Sequence, residues 1–112
     1  MAARLERFAA DPQSRAIVAE VDGEVAGLVA THLVPRIEDD APSCRVVGIV
    51  VAQRHRRAGV ASALIAAAEA EALAHGSRRL DLSSGDWRAD AHAFYERAGF
   101  EHRAQAFIKR LG

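Results

Sequence analysis

Residues 50–61, which read VVAQRHRRAGVA, decide the fold. Two valines end an apolar stretch, the run Arg54-His55-Arg56-Arg57 follows, and Gly59 opens a long alanine-rich segment. This pattern is typical of a strand that turns into a helix. Because the first N–H groups of a helix lack intrahelical partners and carry partial positive charge, the turn is a candidate anion-binding site. Gly59 has no Cβ, so a ligand can approach its backbone closely.

The composition is that of one ordinary globular domain. With 112 residues, of which 50% are hydrophobic and 27% charged, we expect residues 1–112 to form a single domain. No apolar run is long enough to cross a bilayer and no signal-peptide pattern is present, so we expect a cytoplasmic protein with no membrane partner. Fifteen basic residues balance fifteen acidic ones, and aromatic residues are few, so nucleic acid is not expected as a partner.

The metal-binding residue types are scattered. Cys44 is the only cysteine, which excludes an internal disulfide and a multi-cysteine metal site. The five histidines show no helical i, i+4 pair with an acidic partner, so no metal is expected. Cys44 stands just ahead of an apolar strand, where a small buried side chain is expected rather than a nucleophile.

The first half of the chain is rich in β signals. Residues 2–10 are predicted to be the tail of a helix that ends at Asp11-Pro12. Ser14–Val21 and Glu24–Val34 are predicted strands, and Asp22-Gly23 between them is a strong hairpin signal. After an exposed loop at 35–43, residues 44–51 are predicted to be a central strand buried on both faces. Gly48 inside this strand indicates a bulge or a close backbone approach.

The second half alternates helices and strands. Residues 58–75 are a predicted helix that ends at Gly76, and residues 79–84 are a short strand. A second helix at 89–98 ends at Gly99, and residues 102–111 form the last strand. The fold class is therefore α/β (α+β), with a mixed, mostly antiparallel sheet flanked by helices.

Two short motifs lie on either side of the predicted strand at 79–84. RRAGVA at residues 56–61 places arginine, glycine and alanine at fixed spacing, and FYERAGF at residues 94–100 joins two aromatics to a helix-ending glycine. Together they resemble the two signatures of the GNAT superfamily of N-acetyltransferases. In that family the acyl-CoA motif is Arg or Gln, two residues, Gly, one residue, then Gly or Ala. The resemblance covers about residues 14–112 and implies an acyl-CoA N-acyltransferase-like fold.

The resemblance implies a binding site for acetyl-CoA as co-substrate. The backbone of Ile49, Val50 and Val51 would pair with the pantetheine arm as an added strand does. The turn would hold the pyrophosphate, and Arg88 stands where many relatives have an asparagine that contacts the arm. The implied phosphate-binding residues are Arg56, Arg57, Ala58, Gly59, Val60 and Ala61. The side chains of Arg54, Arg56 and Arg57 are all candidates for contacts with phosphate, and their spacing does not distinguish them.

Tyr95 resembles the general acid of the family. A phenol is protonated at neutral pH and can donate its proton to a departing thiolate. The structural alternative is a core aromatic beside Phe94 whose hydroxyl is bonded elsewhere. A backbone N–H between Gly48 and Val50 could bind the oxyanion.

The general base is not evident. Many relatives carry an acidic residue at positions that correspond here to Val47 and Gly48, neither of which accepts a proton. Three alternatives are a water relay to a distant group, an amine that is already deprotonated, or no catalysis. The candidate relay ends are His32, Glu38, Asp39, Asp40, His92 and Glu101.

The run Glu38-Asp39-Asp40 lies in the loop where the family builds part of its acceptor pocket. It could steer a cationic amine, and a solvated loop is the alternative interpretation. Relatives generally begin with a strand and one or two helices before the hairpin, so the first strand and helix are expected to be missing here. A sheet edge would then be open, and a homodimer is predicted.

These observations lead to one preferred function and one alternative. We expect an acetyl-CoA-dependent N-acetyltransferase that acts on a primary amine of a small molecule or peptide by direct attack. The alternative is a catalytically idle acyl-CoA-binding or assembly module of the same fold.

Overall fold

Neighbouring segments pair in sequence order to build one sheet. The computed structural model describes residues 3–37, 40–56, 59–82, 89–101 and 109–111. The five strands lie in the order β1-β2-β3-β4-β5. Their bounds are β1 Ala3–Asp11, β2 Ser14–Val21, β3 Glu24–Val34, β4 Ser43–Val51 and β5 Leu80–Leu82. The helices are α1 Val60–Ala74 and α2 Ala89–Arg97, and a 3₁₀ turn spans Gln53–His55. The first three pairings are antiparallel and the β4–β5 pairing is parallel, which confirms the predicted mixed sheet.

The β2–β3 hairpin follows its sequence signal. Both turn residues are left-handed, with φ of 52° at Asp22 and 79° at Gly23. Two consecutive positive φ values are the geometry that suits the right-handed twist of hairpin strands. The predicted bounds of β2 and β3 are confirmed, and β4 begins one residue earlier than predicted.

The N-terminal prediction is wrong. Residues 2–10 were expected to be helical, but β1 runs along β2 from the Ala3–Val21 pair to the Asp11–Ser14 pair. Alanine, leucine, arginine and glutamate favour helices locally, and pairing with the free edge of β2 overrides that preference. A strand therefore precedes the hairpin where none was expected, and the β2 edge is paired within the chain.

The core lies between one face of the sheet and α1. Leu64 and Ala68 of the helix are fully buried against Ile17 and Val29 of the sheet. Alanine side chains let the helix axis approach the strands closely. The full set of buried residues on α1 is Val60, Leu64, Ile65, Ala67, Ala68 and Ala72, whereas Ala61 is half-buried.

β4 is buried on one face only, so the prediction of burial on both faces is wrong. Val46 is buried towards α1, whereas the side chains of Val47 and Val50 are 61% and 65% exposed. The reason is that α1 covers only one side of the sheet among the described residues. The apolar run in β4 therefore leaves valines facing outward beside the candidate site.

Both helices end at the predicted glycines. Gly76 has a φ of 78°, and the N–H of Ser77 donates to Ala72 O at 2.9 Å. Gly99 has a φ of 98°, and the N–H of Phe100 donates to Tyr95 O at 3.0 Å. Each end is a Schellman cap, in which the residue after a left-handed glycine donates its N–H to a carbonyl in the last turn of the helix. Positions 102–108 of the predicted strand at 102–111 lie outside the described residues, as do positions 83 and 84 of the predicted strand at 79–84. Residues 109–111 are described and have no regular secondary structure.

Candidate functional site

The bulge predicted near Gly48 is present in β4. Gly48 pairs with Ala30 and Val46 pairs with Thr31, so Val47 is the extra residue. A bulge bends its strand and disrupts the ladder locally, which is a common arrangement beside binding sites. The β3–β4 ladder is therefore interrupted at Val47 and Gly48, the two positions where the resemblance implies an acidic residue in many relatives.

Beyond the bulge, β4 offers an open edge. Among the described residues, β5 pairs only with Cys44, Arg45 and Val46. The N–H of Ala52 donates to Ala26 O at 2.7 Å, so the backbone groups of Ala52 face β3. Counting back along β4, the backbone groups of successive residues face β3 and the opposite edge in turn. Val50 faces β3 in this alternation, and the N–H and C=O groups of Ile49 and Val51 face the open edge. Two residues of the predicted trio thus have backbone groups directed where an extended ligand could pair.

The start of α1 is suited to an anion. Gly59 is left-handed, with φ 79° and ψ 8°, and no side chain of the described residues caps the helix. The N–H groups of Val60 and Ala61 have no intrahelical acceptor by helix geometry, and the first turn contains no acidic residue. Arg56 is exposed immediately before this turn. Arg57 and Ala58, also predicted to bind phosphate, lie outside the described residues.

Tyr95 lies in the last turn of α2 as a half-buried residue. Its ring packs edge-on against Phe94 at 5.4 Å and against Phe100 at 6.0 Å between centroids. Such contacts restrict the orientation of the ring, and therefore also the position of the hydroxyl group that it carries. Arg88, predicted to contact the pantetheine arm, lies outside the described residues.

The positions expected for a base offer none. Val47 has an apolar side chain and Gly48 has none, so neither position can accept a proton. The space beside Gly48 is open, since a Cβ built there meets nothing within 4 Å. Of the candidate relay ends, His32 Nδ1 is 2.8 Å from Ser14 Oγ across the β2–β3 pair. His92 is half-buried on α2, and Asp40 and Glu101 are exposed. Glu38 and Asp39 lie outside the described residues.

Cys44 is buried, as predicted. Burial raises the pKa of its thiol; a hydrogen bond with Thr31 opposes this effect, and the charges of Asp81 and Glu71 add to it. A thiol held in its protonated form is a poor nucleophile. Over the described ranges, no group of three or more His, Cys, Asp or Glu residues could hold a metal ion. No helix in the same ranges is long and apolar enough to cross a membrane.

Two features were missed by the sequence analysis. Gly27 lies under the start of α1, where a Cβ would be 3.1 Å from both Val60 Cγ1 and Leu64 Cδ1. The AG dipeptide within β3 was the available signal, because glycine inside a strand often marks a close approach. The second feature is a cleft of about 260 Å³ between the two helices, lined by Ser62, Ile65, Ala66, Glu69, Arg97 and Ala98.

The sequence of this chain is similar to those of known proteins. A family model described as the acetyltransferase (GNAT) family matches residues 1–100. The aminoalkylphosphonate N-acetyltransferase of Salmonella typhimurium is 32% identical over 101 residues. That alignment covers 90% of this chain and 66% of the relative, so the chain spans just under two thirds of the curated relative it matches.

Solved structures share the fold. The ribosomal-protein-alanine N-acetyltransferase from Brucella melitensis biovar Abortus 2308 gives a TM-score of 0.78 at 25% identity, over 91% of this chain and 73% of that one. The aminoglycoside N-acetyltransferase AAC(6')-Iy, solved in complex with CoA, gives a TM-score of 0.81 at 22% identity. The second match covers 91% of this chain and 78% of that one, and at this identity it shows the fold alone.

Proposed function

Because the chain belongs to the GNAT family of acetyltransferases, we propose that it transfers an acetyl group from acetyl-CoA to a primary amine of a small molecule or peptide. The observation that carries the proposal is the uncapped start of α1, which follows the open edge of β4 after one short turn. One end of the sheet therefore offers both an anion site and a strand-like pairing site.

The cofactor would lie along these two features. The pantetheine amides pair with the outward backbone groups of Ile49 and Val51, and the exposed side chain of Val50 packs beside them. The diphosphate accepts hydrogen bonds from the N–H groups at 59–61, and Arg56 adds its charge. Arg57, Ala58 and Arg88 complete the proposed set.

The cleft between the helices is the proposed site for the adenosine end of the cofactor. It is lined by Ser62 from the first turn of α1 and by Arg97 from the end of α2, and Glu69 also lines it. The charge of Arg97 favours a polyanionic nucleotide, and the charge of Glu69 opposes this effect.

In the proposed reaction, the neutral amine attacks the thioester carbonyl directly. A carbon–nitrogen bond forms, the carbon–sulfur bond breaks, and the amine proton passes to solvent or a relay. Tyr95 donates its phenolic proton to the departing thiolate. The oxyanion accepts a hydrogen bond from an N–H in the bulged stretch between Gly48 and Val50.

The base differs from that of many relatives, because Val47 and Gly48 carry no carboxylate. A water relay and an acceptor that binds already deprotonated both remain open. Of the acidic run that could steer a cationic acceptor, Asp40 is exposed. The similar aminoalkylphosphonate N-acetyltransferase makes aminoalkylphosphonates the first acceptors to test. A cytoplasmic location and a homodimer stay predictions.

The same missing carboxylate favours a second candidate, an idle acyl-CoA-binding or assembly module. Both candidates bind acetyl-CoA, so thermal stabilisation by acetyl-CoA supports either one. Thiol release over a panel of primary amines separates them. The enzyme proposal expects turnover with at least one amine and a slower rate for Tyr95→Phe, and release at the background rate throughout favours the idle module.

A further inference from the structure

Glu24 connects the β2–β3 hairpin to the turn that precedes α1. It is the first residue of β3, directly after the hairpin turn. Its Oε2 is 3.0 Å from Arg54 Nη2 and 3.5 Å from His55 Nε2. Arg54 and His55 both belong to the 3₁₀ turn at Gln53–His55. One carboxylate oxygen thus contacts two consecutive side chains of this turn.

The backbone joins the same two parts of the molecule. The N–H of Ala52 donates to Ala26 O, and the N–H of His55 donates to Ala52 O at 2.9 Å. The N–H of Arg56 then donates to Gln53 O at 3.3 Å. The start of β3 therefore contacts the turn and the residue before it through both main-chain and side-chain atoms. The turn's last hydrogen bond, from Arg56, lies three residues before Gly59.

His55 marks how closely the turn is packed. Its side chain is 12% exposed, and Nε2 is buried with no hydrogen-bond partner in the described part of the chain. Burying a ring nitrogen without such a partner costs free energy, so a contact at this position matters to the packing of the turn. The Glu24 carboxylate is the neighbouring charge.

We propose that Glu24 is a positioning residue for the diphosphate-binding turn: by contacting Arg54 and His55 it fixes the path of residues 53–56 into α1. This inference rests on the proposed function. An exposed ion pair adds little to global stability, so the effect falls on local geometry rather than on folding. The competing account is that Arg54 contacts phosphate directly and Glu24 only weakens that contact.

The two accounts predict opposite signs. CoA is a polyanion, and a carboxylate near its site repels it. If Glu24 acted through its charge alone, removing that charge would therefore tighten the binding of CoA. Loss of a positioning contact weakens binding instead. Glu20→Gln provides the matched control, because Glu20 is a half-buried carboxylate on β2 of the same charge.

The test is calorimetric titration of CoA into the wild type, Glu24→Gln and Glu20→Gln, with melting temperatures measured alongside. We expect the CoA dissociation constant of Glu24→Gln to rise about three- to tenfold. The Glu20→Gln value should stay within about twofold. In steady-state assays, KM for acetyl-CoA should rise by the same factor as the dissociation constant while kcat stays within about twofold.

A double variant tests the path of the effect. Glu24→Gln with Arg54→Gln should weaken binding by less than the product of the two single factors, because the residues act as one unit. If Glu24→Gln fails to fold, Glu24→Asp carries the test, since it keeps the charge and withdraws it by one methylene. Unchanged or tighter binding by the folded Glu24 variant overturns this inference alone. A wild type that does not bind CoA overturns the proposed function as well.

Discussion

A Cβ on Gly27 would lie 2.8 Å from Val50 O, closer than real Cβ atoms approach a backbone atom. The same Cβ would press on Val60 and Leu64 of α1. Gly27 is therefore the point where β3, β4 and the start of α1 meet. A side chain there must move either the open stretch of β4 or the helix start.

We expect Gly27→Ala to reduce the free energy of unfolding by about 1–3 kcal/mol, because the extra methyl overpacks a backbone contact. CoA binding should weaken as well, since the clash falls between the two proposed binding elements. Urea unfolding and calorimetry measure these effects. Gly48→Ala is the control for stability, because a Cβ there meets nothing within 4 Å. Equal stability losses in the two variants would contradict the account.

Installing a carboxylate on the bulge tests whether the reaction lacks a base. The space around Gly48 admits a side chain, so Gly48→Glu should raise kcat at pH values below the pKa of the acceptor amine. The control is Gly48→Gln, which has the same shape and accepts no proton. A pH–rate profile in which the two variants coincide would show that proton removal does not limit the rate.

Glu71 joins α1 to the first two strands at the end of the helix remote from the turn. Its side chain is 15% exposed and lies 3.3 Å from Arg15 and 3.5 Å from Arg7. Removing the carboxylate leaves two arginines without it, so we expect Glu71→Gln to lower the free energy of unfolding by about 1–3 kcal/mol. Urea denaturation measures the loss. Glu69→Gln, an exposed carboxylate one half-turn earlier, should change it by no more than about 0.5 kcal/mol. Similar losses in both would argue against the ion pairs.

Burial raises the pKa of the Cys44 thiol, so the folded protein retains this proton to higher pH than the unfolded chain does. The contribution to stability is therefore present below the unfolded pKa and decreases as the pH rises above it. We expect native protein to react slowly with a thiol reagent at pH 8 and unfolded protein to react quickly. Because Cys44 is the only cysteine, the assay reports on this residue alone. Equal rates in both states would contradict its burial.

The sequence predicted the parts of the fold whose signals are local. Asp22-Gly23, Gly76 and Gly99 marked turns and helix ends because their backbone conformations need these residue types. It failed at β1, although only the turn Pro12-Gln13 separates β1 from β2, because sheet pairing overrides the helical preference of residues 2–10.

The candidate site divides in the same way. The anion-binding start of α1 was predicted from Gly59 and its neighbours, since helix geometry alone creates it. The contact of Glu24 with Arg54 and His55 joins positions thirty residues apart and could not be predicted from spacing. Gly27 was missed for a related reason, because its neighbours on α1 come together only in the folded chain.

The central claim is that the uncapped start of α1 and the open edge of β4 hold one acetyl-CoA molecule. A crystal structure of the complex with acetyl-CoA tests it most directly. The account predicts diphosphate oxygens within hydrogen-bonding distance of the N–H groups of Val60 and Ala61, with the pantetheine arm beside Ile49 and Val51. A nucleotide found elsewhere, with solvent alone at the helix start, would contradict it.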